Sequence, residues 1–130
     1  MANSVHDRGG PMVLYERAHA FIDDHLRDPD LSIDQISMAL GCSKRYLHML
    51  FSNRGLTVSE YIWRARLLNC RQDLETQGNK TITDVAFSWG FSSSSHFSRV
   101  FRKYFGIAPS SIHKAQHGSL SPELLSRRLA

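Results

Sequence analysis

Ser32 to Leu56 reads S-I-D-Q-I-S-M-A-L-G-C-S-K-R-Y-L-H-M-L-F-S-N-R-G-L, and Thr81 to Ile107 reads T-I-T-D-V-A-F-S-W-G-F-S-S-S-S-H-F-S-R-V-F-R-K-Y-F-G-I. The second stretch is the first rewritten in different residues. Ile33 pairs with Ile82, Ile36 with Val85 and Gly41 with Gly90 at a constant offset of 49. Beyond the glycine the offset is 50, pairing Leu47 with Phe97, Leu50 with Val100 and Phe51 with Phe101, and it reaches 51 at Gly55 and Gly106. The slips fall in turns, where a chain tolerates insertion. The apolar register survives them, so each copy buries the same face.

Each copy spells a helix, a turn and a second helix. A hydroxyl opens the first helix with an acceptor three residues on, Ser32 with Gln35 and Thr81 with Asp84, which is the capping-box pattern. Gly41 and Gly90 supply the positive φ of a tight reversal. The second helix carries apolar residues at i, i+3 and i+4, namely Leu47, Leu50 and Phe51, then Phe97, Val100 and Phe101. That spacing leaves an opposite face of Arg45, His48, Met49 and Ser52 on the first copy, and of Ser94, Ser95, Ser98, Arg99 and Arg102 on the second. A helix with one packed face and one polar, partly cationic face can lie in a major groove. A single such helix reads most simply as a solvated surface helix. Repetition of the whole arrangement favours a DNA-reading device.

Charge is divided along the chain in the same sense. Residues 1–41 carry three Lys or Arg against seven Asp or Glu, residues 42–114 carry eleven against four, and the remaining residues bring the net charge to +4. The positive charge is concentrated where the two second helices and their connector lie, the footprint expected of phosphate attraction. The acidic residues Asp23, Asp24, Asp28, Asp30 and Asp34 are expected to face away from a duplex.

Flanking patterns complete the fold. Pro11 can begin a helix whose apolar stripe, Leu14, Ala18, Phe21, Ile22 and His25/Leu26, ends near Asp28-Pro29 and closes the core of the first unit. Thr57 caps a helix with Glu60 at its third position, and the pattern runs through Tyr61, Ile62, Ala65, Leu68 and Leu74 to stop at Gly78. A helix from Val58 to Gln77 would be a rod of about 30 Å. That is close to the roughly 34 Å of one DNA turn, which would let the two reading helices enter successive major grooves. Gly106 and Pro109 introduce a short last helix to about Lys114. The tail from Gly118, with a further helical pattern at Pro122 to Leu129, has nothing to pack against and is expected to be partly disordered. The predicted organisation is a linker-like or disordered segment 1–11, a first helix-turn-helix subdomain 12–56, a linker helix 57–78, a second helix-turn-helix subdomain 79–114 and a tail 115–130.

The 130 residues, 42% hydrophobic and 22% charged, contain no run long enough to span a membrane, and the first eleven lack the apolar centre of a signal peptide. Cys42 and Cys70 form no C-x-x-C pair and read as reduced, buried thiols of a cytoplasmic protein. Enzymatic chemistry has little to stand on. There is no nucleophile elbow, phosphate loop or paired acid, and the serines 92–95 have only the adjacent His96 beside them. His113 and His117 stand at i, i+4, but two ligands without a third do not make a metal site, so neither metal nor cofactor is expected. Trp63 and Trp89 read as core residues rather than base-stacking ones; His19, His25 and His96 read as packed or solvated. Arg64 and Arg66 read equally well as exposed charge or as phosphate contacts. The rival to DNA reading is a helical protein–protein interaction module, which would lack a steep dependence on salt.

From about Leu14 to Lys114 the chain resembles the DNA-binding domain of the AraC/XylS family of bacterial transcription regulators. The second unit carries the resemblance most specifically, through Ile82-x-Asp84-Val85-Ala86-x-x-x-Gly90-Phe91-x-x-x-x-x-Phe97-x-Arg99-x-Phe101-x-Lys103-x-x-Gly106-x-x-Pro109. It implies an all-α fold of about seven helices, two helix-turn-helix subdomains joined by a long linker helix. The chain departs from the family pattern at Ser93 and Ser95-His96, where Asp and then Ser-Tyr are usual, and at His113-Lys114, where Tyr-Arg ends the signature. The first departure alters the start of the second reading helix.

Carried over residue by residue, the resemblance implies base contacts from Arg45, His48 and Met49 on the first reading helix and from Ser94, Ser95, Ser98 and Arg99 on the second. Arg45 can bridge guanine O6 and N7, His48 can donate or accept, and Met49 can meet a thymine methyl. Short serines pair with many base edges, which leaves Arg99 the principal reader of the second helix. Phosphate contacts are expected from Ser43 and Ser93 near the helix starts, with Lys44, Arg64, Arg102 and Lys103 around them. The resemblance further implies a transcription activator that contacts RNA polymerase and acts at the nucleoid in the bacterial cytoplasm. Most members carry an effector-binding or dimerisation domain ahead of this one, and Met1 to Gly10 resembles the end of an interdomain linker. The chain is thus either a stand-alone regulator or, as that linker-like start favours, the carboxy-terminal piece of a longer one; it is expected to be monomeric by itself, and in the second case dimeric through such a domain.

Overall fold

The structure, a computed structural model, describes residues 10–112. Among these there are six bounded helices and no strand: α1 (Gly10–Asp24), α2 (Ile33–Leu40), α3 (Lys44–Ser52), α4 (Val58–Thr76), α5 (Ile82–Ser88) and α6 (Ser94–Phe105). Residues 109–112 open a seventh, α7, at Pro109. The all-α expectation of about seven helices is met. The tail from 115, the histidine pair 113 and 117 and the first nine residues lie outside the described residues.

The chain divides into two compact units, Met1–Arg66 and Leu67–Ala130, so the boundary falls inside α4. In the first unit Leu14, Ala18 and Ile22 of α1 pack with Ile36 and Leu40 of α2 and with Leu47, Leu50 and Phe51 of α3, all nearly inaccessible. Val58 and Ile62 of α4 join them. α1 ends at Asp24, earlier than its apolar stripe, and Phe21 and His25 stack on each other half-buried with ring centroids 4.0 Å apart. His25 Nδ1 and the Phe21 carbonyl are 2.7 Å apart, tying the following turn to the helix.

The second unit is built on phenylalanine. Phe91 meets Phe97 edge-on at 4.9 Å, Phe97 lies 5.4 Å from Phe101, and Val85, Ala86, Leu67, Cys70 and Leu74 fill the remaining core. Aromatic pairs at such spacing add favourable quadrupole contact to their burial. Val100, expected on the packed face, is only half-buried.

The linker helix buries Ile62, Leu67 and Leu74 but turns Leu68, expected on the packed face, outward. Val58, Ile62, Arg66, Cys70 and Leu74, each four residues after the last, are all buried, whereas Leu68 is 47% exposed. At 100° per residue Leu68 stands on the far side of the helix from Arg66. Arg66, a charged residue, therefore sits in the packed stripe at 3% exposure rather than on a solvated face. It is satisfied there: Nε donates to the Leu26 carbonyl at 2.9 Å and Nη2 to the Asp28 carbonyl at 2.6 Å. A guanidinium's fork lets one buried side chain serve two carbonyls. Both cysteines are buried thiols; Cys70 Sγ lies 3.9 Å from the Val85 carbonyl, and burial pushes the Cys42 thiol up.

The three predicted capping boxes differ. Thr57 and Glu60 form the full reciprocal pair, with the Thr57 N–H donating to Glu60 Oε1 at 2.9 Å and the Glu60 N–H to Thr57 Oγ1 at 3.0 Å. The Thr57 N–H, and then its hydroxyl, hold the Glu60 carboxyl below its usual range. At Ser32 and Thr81 only the hydroxyl half is formed, accepting from the N–H groups of Gln35 and Asp84. Gln35 instead sends its amide to Asp28 Oδ2 at 3.4 Å, so its side chain braces the connector ahead of α2.

Candidate nucleic-acid interface

In each unit the second helix is positioned by a serine cap and a glycine reversal. Ser43 Oγ accepts from the Tyr46 N–H at 3.0 Å at the start of α3, and Ser93 Oγ accepts from the His96 N–H at 3.2 Å at the start of α6. Each hydroxyl still has its own proton to donate. Gly41 ends α2 at φ 71° and Gly90 follows α5 at φ 90°, conformations that a side chain would strain.

On α3, Arg45 and His48 are exposed and Met49 is 46% exposed, while Leu47, Leu50 and Phe51 point into the core. On α6, Ser95, Ser98, Arg99, Arg102 and Lys103 are exposed, with Phe97 and Phe101 buried beneath them. Ser94 is half-buried, which leaves Ser95, Ser98, Arg99 and Arg102 as the outward stripe at i, i+3, i+4 and i+7. Ser43, Lys44, Ser93 and Arg64 are exposed as well, but Lys44 is already engaged: its Nζ lies 2.9 Å from Asp34 Oδ1. Asp34, one of the acids expected to face away from a duplex, thus stands beside Lys44, a cation expected at a phosphate.

Other residues that shape these faces carry weaker sequence signals. Arg54 donates Nη1 to the Leu50 carbonyl at 3.2 Å, capping the far end of α3, and its guanidinium lies 3.9 Å over the Tyr15 ring. Trp89, expected in the core, is half-buried and donates its indole N–H to Asp73 Oδ2 at 2.7 Å. Trp63 is half-buried with the Arg66 guanidinium 5.5 Å from its ring. Among the described residues there is no group of three metal-ligating side chains, and no helix is long and apolar enough to cross a membrane.

Two capped helix-turn-helix units, each turning a polar and cationic second-helix face outward, define a tandem helix-turn-helix protein. The helix-turn-helix domain family matches residues 36–115. The chain is 35% identical over 104 residues to the transcriptional activator NphR of a Rhodococcus species, covering 80% of this chain and 30% of that protein. It is 35% identical over 102 residues to the transcriptional activator RhaS of Escherichia coli, covering 78% of this chain and 36% of RhaS. A solved transcriptional regulator of Chromobacterium violaceum with an AraC-type DNA-binding domain is 32% identical and superimposes with a TM-score of 0.74, over 85% of this chain and 96% of that one. The chain belongs to the AraC/XylS family and carries its helix-turn-helix domain. It spans about a third of the length of the curated relatives it matches.

Proposed function

We propose that the chain is the sequence-reading part of a transcription activator, binding double-stranded DNA through α3 and α6, one major groove for each unit. The observation that carries this reading is the pair of outward stripes, Arg45, His48, Met49 and Ser95, Ser98, Arg99, at equivalent positions of two separately built units. Arg45, His48, Met49, Ser94, Ser95, Ser98 and Arg99 are assigned to base edges, with Ser94 the least accessible of them. Ser43, Lys44, Arg64, Ser93, Arg102 and Lys103 are assigned to phosphates.

Because the units are unlike in sequence yet covalently linked, one chain should occupy one asymmetric site of about two helical turns, in successive major grooves. Activation and contact with RNA polymerase are inferred from the likeness to relatives described as activators, as is a place at the nucleoid of the cytoplasm. Catalysis forms no part of this reading. Dimerisation would come from a domain outside this chain.

The test is selection of duplexes from a randomised pool, followed by titration of the winner over a salt series. Affinity that falls steeply and linearly on a logarithmic salt scale, with a preference over scrambled duplex, is the expected result. A flat salt response, or a palindromic footprint filled by two chains, contradicts it and favours a protein-binding module or a different stoichiometry.

A further inference from the structure

The two helix-turn-helix units differ in how the turn before the reading helix is held. In the first, Gly41 is followed two residues later by the capping Ser43, and the Asp34–Lys44 ion pair of 2.9 Å bridges the first turns of α2 and α3. In the second, Gly90 is followed three residues later by the capping Ser93, so the turn is one residue longer. The positions equivalent to Asp34 and Lys44 are Thr83 and Ser94, which carry no charge. The bridge of the first unit has no counterpart that these two residues could form.

What reaches this longer turn is a side chain of α4. Asp73 Oδ2 accepts from Trp89 Nε1 at 2.7 Å, and Trp89 is the residue that caps α5 immediately before Gly90. Its backbone N–H is committed to the carbonyls of Ala86 and Phe87, and the Gly90 and Phe91 N–H groups return to Phe87 and Ala86. The indole is thus fixed at both ends: by backbone bonds at its root and by a charge-assisted bond at its tip. A helix held this way enters its groove with its orientation preset, whereas a free turn must be ordered on binding.

We propose that Asp73 is a positioning residue for the second reading helix, acting through the Trp89 indole to fix the turn that aims α6. This rests on the DNA-reading proposal above. It predicts that sequence choice in the second half-site depends on a bond made about twenty residues away from the reading face, while the first half-site is indifferent to it.

The test uses the whole chain as Asp73→Ala, Asp73→Asn and Trp89→Phe variants. The probes are the duplex selected by the unmodified chain and its scrambled counterpart, with half-sites assigned by Arg45→Ala and Arg99→Ala. Asp73→Ala and Trp89→Phe should each weaken the selected duplex about tenfold, the cost of ordering on binding a turn that the bond otherwise presets in the free chain. The base-by-base penalties should flatten in the α6 half-site alone, and the double variant should be no weaker than either single one. Asp73→Asn, which keeps an acceptor oxygen, should recover most of the loss. Unchanged affinity and profile, or equal losses in both half-sites, overturns the proposal. Amide exchange over residues 90–95 gives a readout without DNA: faster exchange in Asp73→Ala and Trp89→Phe supports the latch, and unchanged exchange overturns it. Failure of the unmodified chain to prefer its selected duplex would count against DNA reading itself, and the exchange result would still decide whether Asp73 holds the turn.

Discussion

Lys44 Nζ lies 2.9 Å from the Asp34 carboxylate, with both side chains more than half exposed, so a cation at the start of the first reading helix is partly neutralised by the helix packed beside it. An exposed pair of this kind contributes only about 0–1 kcal/mol to folding. Its larger effect is on the field that a phosphate meets. Asp34→Asn should leave the melting temperature nearly unchanged and tighten binding to specific and random duplexes alike, by about threefold to tenfold at low salt. Filter binding at two salt concentrations checks this, and weaker binding by Asp34→Asn would remove Lys44 from the phosphate set.

Arg45 and Lys103 should separate into reader and anchor. Arg45→Ala is expected to weaken specific binding by about 1–3 kcal/mol and to relax preference at one base pair. Lys103→Ala should weaken all sequences equally and lower the salt slope by about one. Competition between the selected and a scrambled duplex distinguishes them. Equal losses on both duplexes for Arg45→Ala would show that it reads no base.

Arg66 should matter for the stability of the first unit in a way its charge does not suggest. Arg66→Met leaves the Leu26 carbonyl without its buried donor and the half-buried Asp28 carbonyl with only the Leu31 N–H, and a loss of about 1–3 kcal/mol is expected from one unmet buried acceptor. Arg66→Lys should recover only part of it, because an ammonium lacks the planar fork. Urea denaturation of the three proteins provides the comparison; equal stability of Arg66→Met and the parent would mean that the two bonds are dispensable.

His19 should make folding of the first unit sensitive to acid. Its ring lies among Tyr15 at 4.3 Å, Tyr61 at 4.1 Å and Phe51 at 5.6 Å, and Nε2 is buried without a partner among the described residues. Desolvation lowers its pKa from the ordinary 6.5, opposed by Asp23 and assisted by Arg54. With the folded value below the unfolded one, both states are neutral above about pH 6.5. As the pH falls below that, the unfolded chain takes up the proton first and stability declines until the folded value is passed. His19→Phe should lose this component, so the difference in unfolding free energy between pH 7.5 and pH 5.5 should be smaller than in the parent. An identical difference in both proteins would place the acid sensitivity elsewhere.

The hydroxyl caps and the glycine turns determined the elements from the sequence alone, because each depends on residues within one turn of one another, and the repeat offsets of 49 to 51 made the same unit legible twice. The 3.6-residue period likewise projected Arg45, His48, Ser95, Ser98 and Arg99 outward and buried Leu47, Phe51, Phe97 and Phe101, as the folded chain has them. Periodicity identifies a face, but it does not say which of two candidate faces meets the core when both carry apolar residues. On α4 the stripe through Leu68 and the stripe through Cys70 compete on paper. Packing settles the matter in favour of the one that includes Arg66, since the carbonyls of Leu26 and Asp28 wait for its donors from 40 and 38 residues away. Asp34 with Lys44 and Asp73 with Trp89 belong to the same category: ten and sixteen residues apart, they become partners through the way helices meet in space. Local chemistry therefore wrote the elements into the sequence, and tertiary proximity decided which polar groups hold them in place.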